Sequence, residues 1–112
     1  MTDDTRLQIM SQATEDFTGL WELAAARGAP AVDDLVPVLE ALVRDGLVAI
    51  YCGTRFSSEE KILPAEQACT AIRDRRFWDW AAPDKGPHLR AFATATGSNW
   101  YFAQRRKMAD HT

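Results

Sequence analysis

The side chains best able to do chemistry are few. His88 and His111 are the only imidazoles, and Cys52 and Cys69 the only thiols. A zinc site needs such ligands at close paired spacing, so that one turn or helix face aims both at one ion. No CxxC, HxxxH or HExxH spacing occurs, and 16 residues separate the two cysteines. Two cysteines do not make a disulfide scaffold either. Cys52 beside Gly53, and Cys69 on the apolar face of a predicted helix, read as small reduced hydrophobes. His111 is the penultimate residue, where chains fray. The carboxylate pairs Asp33/Asp34 and Glu59/Glu60 are sequence neighbours. Neighbours on a helix point apart, so these pairs read as a cap and a turn rather than as an acid and its base. No GxGxxG or Walker loop appears. The expectation is a protein that is not an enzyme and carries no metal or cofactor.

Arginines beside aromatic rings are the richer material. Arg73, Arg75 and Arg76 adjoin Phe77, Trp78 and Trp80, while Arg105, Arg106 and Lys107 follow Trp100, Tyr101 and Phe102. Cations interleaved with rings suit single-stranded nucleic acid or a phosphate-bearing partner. The ordinary reading is that cations favour helix C-termini. Four tryptophans in 112 residues is a high count. Trp21, with Phe17 and Leu20, has core spacing. Trp78 and Trp80 flank Asp79 in an irregular stretch, either folded over the core or offered as anchors. Trp100, Tyr101 and Phe102 are consecutive and span about 200° of a helix. At least one of them must meet the insertion, a second subunit or solvent. Trp78, Trp80, Trp100 and Tyr101 are the candidate interface residues.

The elements that must position these groups fit one domain over residues 1–112. The chain is 46% hydrophobic and 26% charged, as globular chains are. Its net charge of -3 does not favour a general affinity for polyanions. That figure hides an asymmetry: residues 1–53 hold three basic and nine acidic side chains, residues 54–112 ten and seven. No apolar run reaches the roughly 18 residues of a membrane span. The acidic start lacks the apolar stretch of a secretory signal, so a cytoplasmic location is expected.

Periodicity predicts a helix over 3–16 and a second one capped by Thr18, carrying Leu20, Trp21, Leu23 and Ala24 to a stop at Arg27-Gly28. A third helix is capped by Asp33 or Asp34, has Pro37 in its first turn, and ends at Gly46. A strand over 47–52 follows. Residues 61–63 read as a short returning strand, 64–74 as a fourth helix, 75–87 as a loop, 88–95 as a strand, and 99–109 as a last helix after a turn at 96–98.

Three helices followed by two strands is the order of a winged helix-turn-helix domain. Residues 39–48 (LEALVRDGLV) resemble the exit from the third helix into the wing in that superfamily. Residues 93–97 (ATATG) are similar to the LTxxG that ends the wing and starts a C-terminal helix. Residues 18–23 (TGLWEL) resemble the second helix of small, uncharacterised bacterial proteins of this type. The resemblance implies an α+β, mostly helical, winged-helix-like fold. About 35 residues, 53–87, separate the two wing strands, so the wing carries a helical insertion.

The resemblance also implies DNA binding, with the third helix in the major groove. Here that helix, residues 32–45, holds Asp33, Asp34, Glu40 and Asp45 against Arg44 alone. A phosphate wall repels such a helix. The expected function is therefore a small bacterial, cytoplasmic, non-catalytic binding module. It would act through protein–protein contacts or self-association as a homodimer. The competing reading is a DNA-binding transcriptional regulator. Its phosphate contacts would be Arg44, Arg55, Arg73, Arg75, Arg76, Arg105, Arg106 and Lys107. A minor reading is a small-ligand sensor with tryptophans lining a pocket.

Overall fold

A computed structural model of the chain describes residues 2–15, 17–26, 30–53, 61–79 and 87–110. Arg55, Trp80, His111, the turn expected at Glu59/Glu60 and the helix stop expected at Arg27-Gly28 lie outside the described residues. The fold is α+β. Helices α1 (Thr2–Glu15), α2 (Leu20–Ala25), α3 (Val32–Arg44), α4 (Ala65–Ile72) and α5 (Ala95–Asp110) surround strands β1 (Thr18–Gly19), β2 (Val48–Gly53), β3 (Lys61–Ile62) and β4 (His88–Ala93). The sheet is antiparallel in the order β1-β4-β2-β3.

The core follows the apolar spacing. Leu35, Leu39 and Leu42 on α3 are buried, as are Ile9, Met10 and Ala13 on α1 and Ala68, Cys69 and Ile72 on α4. They meet Val48, Ile50, Leu89 and Ala91 from alternate positions of β2 and β4 in one cluster. The exit from α3 is a Schellman motif. Leu47 N–H donates to the Leu42 carbonyl at 3.0 Å, and Gly46 N–H donates to that of Val43 at 3.1 Å. Gly46 has φ 76°, a left-handed value that glycine adopts without strain.

Four expectations are corrected. Thr18 does not cap α2. Thr18 and Gly19 are extended and pair with Ala91 and Arg90, and Gly19 takes the N-cap position. The α3 cap is Ala31, whose carbonyl accepts from Leu35 N–H at 3.0 Å. Asp33 and Asp34 then fall in the first turn, where negative charge suits the helix dipole, and Pro37 lies inside the helix on its exposed side. The segment 75–87 opens with a 3-10 turn, Arg75–Trp78, rather than a loop. Finally, α5 begins at Ala95, four residues earlier than expected. Thr94 explains this shift: its hydroxyl accepts from Gly97 N–H at 3.0 Å, as an N-cap side chain does. The same hydroxyl donates to the Gly46 carbonyl at 2.6 Å, tying the start of α5 to the end of α3. Gly97 is needed there, because a Cβ would sit 1.9 Å from the Leu47 carbonyl oxygen.

Candidate functional site

Side-chain alternation gives the sheet two unlike faces. Val48 and Ile50 of β2, with Leu89, Ala91 and Ala93 of β4, are buried on the inner face. Ala49 and Tyr51, with Arg90 and Phe92, occupy the alternate positions and are only half-buried. The register sets Tyr51 opposite Arg90 and Ala49 opposite Phe92, so Tyr51 and Phe92 are diagonal neighbours. Their rings meet edge-on at 5.4 Å. Phe17, just before β1, stacks on Phe92 at 5.1 Å and meets Tyr51 edge-on at 5.1 Å. The Arg90 guanidinium lies 5.3 Å from the Phe17 ring centre, at cation–π range.

The aromatic surface continues along the sheet. Trp21 meets His88 edge-on at 5.5 Å. Its indole lies across Gly19, where a Cβ would come within 2.4 Å of the ring. Trp21 and Phe17 therefore do not join the core, as their helical spacing suggested. Leu20 and Leu23 fill it instead. Phe17, Tyr51 and Phe92 thus gather beside Arg90, and Trp21 covers the buried His88 two residues back along β4. The partial alternation of 88–95 already set Arg90 and Phe92 apart from Leu89 and Ala91. Nothing local marked Phe17 or Trp21 as their neighbours.

The candidate interface residues separate. Trp78 is buried, and its indole N–H donates to the Ile72 carbonyl at 2.8 Å. Tyr101 is buried too. Trp100 is half-buried against the core, with the Arg6 guanidinium 4.8 Å from its ring centre. Of the three consecutive aromatics the one facing water is Phe102, 51% exposed.

The two basic clusters also separate. Arg73 grips Glu40 with a forked pair of hydrogen bonds, Nε at 2.7 Å and an outer nitrogen at 3.2 Å. Glu40 raises the Arg73 pKa through that bond and its charge. Arg44 approaches the same carboxylate at 3.8 Å. Arg75 pairs with Asp33. Arg76 binds Asp74 at 2.6 Å and, chiefly through side-chain hydrogen bonds, holds the Asp74 pKa down at about 2. All four of these arginines are therefore committed to carboxylates, two of them on α3 itself. Arg105, Arg106 and Lys107 are exposed, and none pairs with a carboxylate among the described residues. Arg105 instead lies over the Tyr101 ring at 5.8 Å.

A shallow groove of about 290 Å³ runs between α3 and α4, walled by Arg44, Ala65, Glu66, Cys69, Thr70 and Arg73. No tryptophan lines it. The Cys69 thiol at its edge is buried and lies 3.9 Å from the Glu40 carbonyl. Among the described residues no three His, Cys, Asp or Glu side chains gather as metal ligands would. No described helix is long and apolar enough to cross a membrane. Compared with family models, curated proteins and solved structures, the chain has no significant match.

Proposed function

We propose that this chain is a small, non-catalytic, cytoplasmic binding module of winged-helix type, and that it engages a protein through the outer face of its sheet. The observation that carries this reading is the cluster of Phe17, Tyr51 and Phe92 around Arg90 on the face turned away from the core. Aromatic and arginine side chains concentrate binding energy at protein interfaces, the rings because they bury large rigid area at small entropic cost. Three helices followed by an antiparallel strand pair, with the Schellman exit and the Thr94 cap at the expected motifs, support the winged-helix reading.

The regulator reading has less support. Seven of the thirteen α3 residues are buried, and its exposed row begins with Asp33 and Asp34. Two of the cations best placed beside that helix are spent on its own carboxylates.

A photoreactive phenylalanine analogue at Tyr51 tests the proposal. The expected product in cells is a discrete crosslinked protein band, lost when Phe92 and Phe17 are both replaced by serine in a chain that keeps its circular dichroism. Crosslinks to nucleic acid alone, or none at all, would overturn it.

A further inference from the structure

The outer row of α3 and the outer row of α5 match each other in charge and in shape. On α3, Asp34, Pro37, Ala41 and the capping residue Asp45 are exposed, at spacings of three and four residues. They form one stripe with a carboxylate at each end and a low, apolar middle. Asp34 and Asp45 pair with no cation among the described residues. On α5, Asn99, Phe102 and Arg106 form the corresponding exposed stripe, flanked by Arg105 and Lys107. Here a ring that is 51% exposed stands beside cations that pair with no carboxylate among the described residues.

The two rows cannot meet within one chain, because Thr94 and Gly97 fix the start of α5 against the Gly46-Leu47 exit of α3. They can meet between copies. We infer that α5 of one copy docks antiparallel on the α3 row of a second copy. Arg106 then lies at Asp34, with Arg105 and Lys107 flanking the same acidic helix start. Phe102, four residues or about 6 Å back along α5, falls over Pro37 and Ala41. Antiparallel docking also sets the cationic end of α5 against the N-terminal turn of α3, where two carboxylates, Asp33 and Asp34, stand together. The opposite direction would bring the cations to the α3 exit, where a single carboxylate, Asp45, stands beside the exposed Arg44. A symmetric pairing of α5 with α5 would set the three cations against a helix whose one acidic residue is Asp110, at its last position. The contact joins two different patches, so it closes as a pair only if both copies give and receive at once. This inference rests on the module reading above and adds a second copy as a partner at a separate surface.

The test is sedimentation equilibrium of the full chain across protein concentration and salt. The wild type is expected to self-associate at low ionic strength, and to weaken about tenfold or more between 0.05 and 0.5 M salt, since the bonds are exposed ion pairs. Arg106→Glu and Asp34→Lys should each abolish association. An equimolar mixture of the two variants should regain association as a mixed pair, with the two substituted side chains facing each other at one contact and Arg106 facing Asp34 at the other. The double variant Arg106→Glu/Asp34→Lys should regain it by exchanging the charges. Both substitutions are at exposed positions, so circular dichroism should stay unchanged in all three variants. A wild type that is monomeric at every concentration and salt would overturn the inference. So would association that neither single change affects, or a double variant that stays monomeric. A monomer that still gives the Tyr51 crosslink to another protein would leave the module reading standing, which separates the two failures.

Discussion

At the scale of the residue, the most legible electrostatic unit is Asp74 with Arg76. The carboxylate accepts Arg76 N–H at 3.0 Å and the guanidinium at 2.6 Å. Its pKa falls from the ordinary 3.8 to about 2, first through the side-chain hydrogen bond and then through the backbone one. A carboxylate with a depressed folded value stabilises the fold above its unfolded pKa. That contribution is lost as pH falls through the folded one. The window is therefore between about pH 4 and pH 2, and near neutrality the contact is fully formed. An NMR titration should find the Asp74 midpoint near 2 in the wild type, and back toward 3.8 in Arg76→Ala. A midpoint of about 4 in the wild type would show that the contact is not kept in solution. Arg73 and Glu40 differ in kind. The Glu40 side chain is only 8% exposed and the Arg73 side chain is 61% exposed, so the pair pins a near-buried charge from its open side.

At the scale of the element, Thr94 does two jobs with one hydroxyl. It caps α5, and it binds the carbonyl of the glycine that ends α3. Thr94→Ala should cost about 1 kcal/mol from the cap alone, and lower the melting temperature by about 4 °C. Thr94→Ser should keep most of that stability, since it keeps the hydroxyl. Thermal unfolding followed by circular dichroism decides between these outcomes. Much at this scale was readable beforehand. The spacing of Leu35, Leu39 and Leu42 marked α3, Gly46 marked its end, and 61–63 and 64–74 marked β3 and α4 to within a residue or two. Strand β1 was not readable. Two residues, Thr18 and Gly19, carry no period of their own, and only pairing with β4 makes them a strand. The start of α5 was misplaced because Thr96-Gly97-Ser98 has turn composition. Gly97 is instead small so that Leu47 can pass it. Trp21 had the spacing of a core residue, but α2 has only six residues, and Leu20 and Leu23 satisfy the core between them.

At the scale of the whole molecule, the acidic first half and the basic second half are partly knitted together. Glu40–Arg73 and Asp33–Arg75 join residues 33 and 42 positions apart. No spacing rule could have foretold these partners, which is why the arginines of 73–76 read in the sequence as helix-end cations, or as phosphate contacts under the regulator reading, and not as partners of α3. With those cations committed and a net charge of -3, the chain should show no binding to mixed duplex DNA at physiological salt. An electrophoretic shift there that weakens steeply with added salt would reverse that expectation and turn attention to residues 105–107. The sheet carries one more consequence. Its outermost strands, β1 and β3, are each two residues long, while the six-residue strands β2 and β4 lie paired inside. A growing fibril recruits molecules by adding backbone to an open strand edge, and an edge of two residues gives an incoming strand little to grip. Each long strand is thus paired along its length on one side and over two residues on the other, which interrupts the backbone edge open to an incoming strand beside the aromatic surface.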